Sequence, residues 1–165
     1  AVTLSAFTWA LFTLFAGAIS DRIGRRATYL IGFIAQALGA AALFPLVNTG
    51  DLKLLYLALT SLTFGLGLTY GAQSAMYAEL FPASIRATGV SITYALGSVL
   101  GGAFAPMIAA SLVEATGTTF AVSGYLVTAS LVGLVCTFIL RERKGIPLGP
   151  EHEAAQARGH FIFSK

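Results

Sequence analysis

Apolar and polar positions are segregated along this chain on a scale of about twenty residues, the length that spans a bilayer. Uncharged, predominantly apolar runs cover residues 1–19, 27–47, 54–78, 87–112 and 120–140, with Lys53 and Glu79 just outside the third. At roughly 1.5 Å per residue each helical run would cross a hydrocarbon core of about 30 Å. The breaks carry turn chemistry. Asn48-Thr49-Gly50-Asp51-Leu52-Lys53 supplies Asn, Gly and Asp, and Pro82 stops the third run within Glu79–Arg86. Residues 113–119 form a Gly- and Thr-containing turn, and Arg141-Glu142-Arg143-Lys144 closes the last run. The pattern predicts an all-α polytopic membrane protein with five spans, residues 1–140, followed by a tail over 141–165 whose residues 145–165 are polar and weakly ordered.

Composition sharpens this reading. Hydrophobic residues make up 56% and charged residues 10%, against about 25% charged in soluble domains. The net charge of +3 does not imply nucleic acid, because the basic residues sit at run ends and in the tail. Of the ten Lys and Arg residues only Lys53 falls on one side of the predicted bilayer; Arg22, Arg25, Arg26, Arg86, Arg141, Arg143, Lys144, Arg158 and Lys165 fall on the other. The positive-inside bias assigns that side, and the C-terminus, to the cytoplasm. The single cysteine, Cys136, lies in an apolar run and reads as an inert core thiol. The chain opens without Met or a basic lead, so a signal peptide is not expected and the sequence reads as part of a longer protein.

The densest break is Gly17-Ala18-Ile19-Ser20-Asp21-Arg22-Ile23-Gly24-Arg25-Arg26, read as a tight turn at the membrane surface. Gly17 permits close approach of a neighbouring helix, and Gly24 a tight backbone path. Asp21 is placed to cap the N–H groups that open the second span. The pattern Gly-x-x-x-Asp-Arg-x-Gly-Arg-Arg resembles the cytoplasmic loop signature of the major facilitator superfamily of secondary transporters. A second stretch extends the resemblance: Tyr70-Gly71-Ala72-Gln73-Ser74-Ala75-Met76, Glu79-Leu80-Phe81-Pro82, Arg86, Gly89, Ser91 and Gly101-Gly102-Ala103-Phe104-Ala105-Pro106. Together these resemble the metabolite:proton symporters of that superfamily, the shikimate, proline/betaine and dicarboxylate carriers. The resemblance implies that the five spans are helices eight to twelve of a twelve-helix inner-membrane carrier, with inverted three-helix repeats. The superfamily's last span often ends Pro-Glu-Thr-Lys-Gly; Glu142, Lys144 and Gly145 keep that pattern, without its Pro and Thr.

Two sets of candidate residues follow. Asp21, Arg22, Arg25, Arg26, Glu79, Arg86 and Glu142 fall on one predicted surface and are expected, with Gly17 and Gly24, to form a conformational latch by ion pairing. Each exposed pair is worth only about 0–1 kcal/mol, so the latch requires a network. The second set is polar groups within the spans. Thr63, Gly67, Tyr70, Ser74 and Tyr77 recur at helical spacing, with Gln73 adjoining; Ser91, Tyr94 and Ser98 share a face of the fourth span. Tyr70, Gln73 and Tyr94 are the candidate cavity-lining residues, with Trp9 and Ser98 behind them. The alternative for each is hydrogen-bonded helix–helix glue. Gly67, Gly71, Gly97 and Gly101 are assigned to close helix contact and Pro106 to a kink in the fourth span. In the fifth span Ser123, Thr128, Ser130 and Thr137 can bond their own helix backbone.

No Asp, Glu, Lys, Arg or His lies well inside any run. A proton-carrying carboxylate, which usually sits within a span, would then belong to the N-terminal half of the carrier. No catalytic set, phosphate loop or cofactor motif is present, and His152 and His160 lack a third metal ligand. The basic loop should touch lipid headgroups. The expected function is transport of a small polar metabolite by alternating access, with proton symport implied by the resemblance alone. A sugar or drug carrier of the same superfamily, and a non-transporting sensor or scaffold on the same fold, stay open.

Overall fold

A computed structural model describes residues 2–143 and 145–157; Lys144, Arg158, His160 and Lys165, named above, lie outside the described residues. The chain forms α1 (Val2–Ile23), α2 (Arg25–Val47), α3 (Leu52–Leu80), α4 (Arg86–Gly97), a π-helical turn (Ser98–Ala103), α5 (Ala105–Thr116), α6 (Phe120–Ile139), a 3₁₀ turn (Pro150–His152) and α7 (Glu153–Gln156). Five segments are long and apolar enough to cross a membrane, with α4, the π turn and α5 forming one of them, Arg86–Thr116.

The first break is far shorter than the expected ten-residue turn. α1 continues through Ser20, Asp21, Arg22 and Ile23, and α2 begins at Arg25, so Gly24 alone separates them. Charge ends the apolar stretch but does not oppose helix. Ser20 Oγ donates to Gly17 O at 2.8 Å and Thr28 Oγ1 to Gly24 O at 2.8 Å, which satisfies carbonyls on both sides. Gly24 takes φ +103°, a region that side chains avoid, and this reverses the chain in one residue.

The fourth span is interrupted before Pro106. A proline in an α-helix withdraws one N–H and presses on the carbonyl four residues back, here Gly102. The widened turn over Ser98–Ala103 takes up that conflict, and α5 restarts with Pro106 in its first turn, where no N–H is needed.

α3 lies between α1 and α2, and α6 packs on α2. Glycines set the spacing. A Cβ on Gly65 would lie 2.4 Å from the backbone N of Gln36, and one on Gly71 would lie 2.3 Å from Thr13 O. A Cβ on Gly67 would meet Phe12 Cβ at 2.6 Å, whereas Gly17 sits at ordinary contact distance, 3.6 Å, from Gly71 O. The α2–α6 seam uses small polar residues. Ser123, Ser130 and Thr137 are buried along α6, and Gly133 makes room for the Phe33 ring. Ser130 and Thr137 donate to carbonyls of their own helix as expected, but Ser123 donates across to Ala40 O of α2 at 2.8 Å. Because α6 offers only that face to α2, Cys136 is exposed on another face and is not a core thiol.

Two packing expectations meet no neighbour. No described residue lies within 4 Å of a Cβ built on Gly97 or Gly101, and no residue of α4, the π turn or α5 is buried among the described residues. The tail also departs from expectation. Residues 145–157 fold back onto the turn between α3 and α4, through hydrogen bonds that the polar composition does not reveal.

Candidate functional site

Between α3 and α4 lies a groove of about 260 Å³, lined by Tyr70, Gln73 and Tyr77 from α3 and by Thr93, Tyr94, Gly97 and Ser98 from the fourth span. Positions 70, 73 and 77 share a helical face by spacing, as do 93, 94 and 97. The polar groups are paired across the groove and along α3. The Tyr70 and Tyr94 hydroxyls lie 2.8 Å apart, and Gln73 Nε2 donates to Tyr77 Oη at 3.2 Å. The lining thus offers hydroxyls and one amide with no ionised group, which suits a polar solute held by neutral hydrogen bonds.

Four of the five candidate residues, Tyr70, Gln73, Tyr94 and Ser98, meet at this groove. Trp9 stands on the other side of Tyr70. Its ring meets Tyr70 edge-on, with centroids 5.5 Å apart, and it lines an adjoining apolar cavity of about 370 Å³ with Ala10, Thr13 and Leu14. The Trp9 indole N–H is buried and has no hydrogen-bond partner among the described residues. Ser91 is exposed and outside the groove, whereas Thr93 lines it. The i, i+4 spacing of Thr93 and Gly97 was the available signal. The Thr93 hydroxyl donates to Gly89 O at 2.8 Å.

The charged cluster gathers at the α1–α2 turn. Arg25 is its centre. Nη1 donates to Ser20 Oγ at 2.7 Å and to Asp21 Oδ1 at 2.5 Å, and Nε to Glu79 Oε1 of α3 at 3.1 Å. The Arg25 and Glu79 side chains are largely buried, 15% and 10% exposed, so their pairing is less screened than a surface bridge; the Asp21 side chain is 66% exposed. The expected cap by Asp21 is not formed, because Asp21 occupies the last turn of α1 and turns to Arg25. Glu142, after α6, takes that role: its Oε2 accepts from the Arg26 backbone N–H at 3.1 Å. A Cβ on Gly24 would lie 2.5 Å from that same oxygen, so Gly24 clears the path for the carboxylate.

The exchange is reciprocal. Arg26 Nη2 donates to Phe138 O, near the end of α6, at 2.7 Å, and its guanidinium stands 5.1 Å over the Phe138 ring. An anion thus meets the positive start of α2 and a cation the negative end of α6, both favourable to the helix dipoles. Arg22 occupies the last turn of α1, which is favourable in the same way. Arg86 does not join the carboxylates. Its Nε donates to Ala78 O at 2.8 Å and to Phe81 O at 3.3 Å, closing the C-terminal end of α3. Pro82 and the turn after it aim Arg86 back at those carbonyls rather than at Glu79. Burial lowers the pKa of Arg143, an effect opposed by the nearby Glu79 charge. Among the described residues no group of three potential metal ligands occurs.

The Major Facilitator Superfamily matches residues 1–163, and the chain belongs to that superfamily. It is a multi-pass membrane protein. It is 34% identical over 149 residues to the citrate-proton symporter of Klebsiella pneumoniae, a match covering 89% of this chain and 33% of that protein. It is 35% identical over 132 residues to the inner membrane metabolite transport protein YhjE of Escherichia coli (strain K12), covering 78% and 29%. With the shikimate transporter of the same strain it shares 26% over 143 residues, covering 86% and 31%. These relatives agree with the resemblance to metabolite:proton symporters drawn from residues 17–112. The chain spans about a third of the length of these curated relatives. No solved structure matches it.

Proposed function

We propose that the chain is part of a secondary transporter of the inner membrane that moves a small polar metabolite, a carboxylate or zwitterion, by alternating access with proton symport. It would supply helices eight to twelve, and the rest of the same polypeptide would supply the other half. The observation that carries this reading is the uncharged polar groove between α3 and α4, which places paired hydroxyls and an amide inside apolar spans. Such groups are costly in hydrocarbon and are retained where water or a solute meets them. The relatives' names, citrate-proton symporter and shikimate transporter, support the substrate class. With no ionised group in the groove, the proton carrier would lie in the other half.

Uptake of labelled citrate, shikimate and glycine betaine by the full-length protein in proteoliposomes, with and without an imposed proton gradient, tests the proposal. Uptake of one of them driven by the gradient is expected. Tyr70→Phe and Tyr94→Phe each remove one hydroxyl of the pair and leave the ring. Each should lower kcat/KM for the transported solute about tenfold, the scale of one lost hydrogen bond in a desolvated site. Absence of any solute-driven uptake, or two variants that transport like the parent, would sink the assignment of the groove.

The basic residues gathered at one end of the spans support a cytoplasmic C-terminus and an external Gly50 turn. Reporter fusions at Gly50 and after the last residue are expected in opposite compartments; the same compartment for both overturns the orientation. The cluster around Arg25, Glu79 and Glu142 would act as the latch between transport states, because it ties α1, α2, α3 and the end of α6 to one place.

A further inference from the structure

The chain beyond the last span carries its own fastening, separate from the carboxylate cluster. Gln156 is 1% exposed, although it stands in the four-residue α7 outside the apolar spans. Its amide is fully used. Oε1 accepts from the Ala83 backbone N–H at 2.8 Å and from Arg86 Nη2 at 3.1 Å. Nε2 donates to Pro147 O and to Gly149 O, each at 2.7 Å. A primary amide has two donor hydrogens and two main acceptor directions, and here all four are engaged.

Each neighbour reinforces the contact. Arg143 donates to the Gln156 backbone carbonyl, and Ser84 Oγ meets Glu153. Arg86 Nη1 reaches Leu148 O at 2.9 Å. Arg86 therefore divides its guanidinium between the end of α3 and the returning segment, while its own residue opens α4. Within the described residues the fourth span meets its neighbours at few places. None of its residues is buried, and α4 meets α3 near the Pro82 turn and at the Tyr70–Tyr94 pair. Fixing the turn over residues 81–86 consequently fixes where the fourth span starts relative to α3.

We propose that Gln156 is a pin by which residues 145–156 clamp the turn between α3 and α4, so that the fourth span moves away from α3 only when this strap lets go. Removing the amide strands the Ala83 N–H and two carbonyls and takes an acceptor from Arg86. The strap is thus a device for setting how readily the groove opens. That last step rests on the groove being the transport cavity, but the clamp itself can be measured without any substrate.

The test uses the full-length protein in lipid nanodiscs. In Gln156→Ala, hydrogen exchange at Ala83 and at the first amides of α4 is expected to rise about tenfold, as for the loss of about 1.4 kcal/mol of local protection. Exchange at Thr28, whose amide bonds to Gly24 O on the other turn, should stay unchanged. In Gln156→Glu the acceptor to Ala83 and Arg86 remains but the donors to Pro147 and Gly149 are lost. Ala83 should then stay protected while residues 147–149 exchange faster. A Ser98→Cys reporter in a Cys136→Ser background should react several-fold faster with a water-soluble maleimide when Gln156 is Ala. Unchanged Ala83 exchange, acceleration spread evenly over both turns, or unchanged reactivity at position 98 would each overturn the proposal.

Discussion

Gly65→Ala is expected to cost the full-length protein most of its folded yield in the membrane. The added Cβ would sit 2.4 Å from the backbone N and 2.7 Å from the Cα of Gln36. Neither atom can rotate away, so α2 and α3 must separate along their length. Overpacking of this kind costs about 1–3 kcal/mol where side chains can adjust, and more is expected where backbone meets backbone. Within a bilayer the loss is felt directly, because helices there associate through close packing rather than through exclusion of water. The measurement is the midpoint of thermal unfolding in detergent, which should fall by several degrees. Gly97→Ala, whose added methyl meets no described residue within 4 Å, serves as the matched substitution and should lower the midpoint less. Equal midpoints for both variants would show that the α2–α3 seam is not limited by Gly65.

Gly24→Ala is expected to reduce transport by the full-length carrier at least tenfold while leaving insertion near normal. Two effects coincide at this residue. Its φ of +103° strains any side-chain-bearing residue by about 1–3 kcal/mol. Its Cβ would also fall 2.5 Å from Glu142 Oε2, so the carboxylate must leave the Arg26 N–H that it caps. That removes the link from the start of α2 to the end of α6 and weakens the positioning of Arg25 between Asp21 and Glu79. Glu142→Gln isolates the charge, since an amide oxygen can still accept from Arg26, and its effect should be smaller. Initial uptake rates normalised to protein in the membrane decide the matter. Parent-like rates in Gly24→Ala would remove the proposed latch, whatever its ion pairs look like.

The proposed strap and the proposed latch lie at different turns of the same end of the helices. Arg25 and Glu142 secure the α1–α2 turn, whereas Arg86 and Gln156 secure the α3–α4 turn. Arg143 stands where they meet: its backbone N–H donates to Glu142 Oε1 and its guanidinium to the Gln156 carbonyl.

The amino-acid sequence by itself determined the five spans, the helical spacing that puts Tyr70, Gln73 and Tyr77 on one face, and the gathering of positive charge at one end. Those are local properties: hydropathy over about twenty residues, a period of 3.6, and the count of Lys and Arg beside each span. Tertiary structure alone decided who meets whom. Glu142 rather than the nearby Asp21 caps α2, from 116 positions away, because α6 returns beside α2. Arg86 turns to carbonyls, Gly65 meets the backbone of Gln36, Cys136 is exposed, and a tail that reads as weakly ordered buries Gln156. Each of these outcomes depends on which surface a second helix covers. That is set by the packing of distant segments and leaves no periodic trace in the residues themselves.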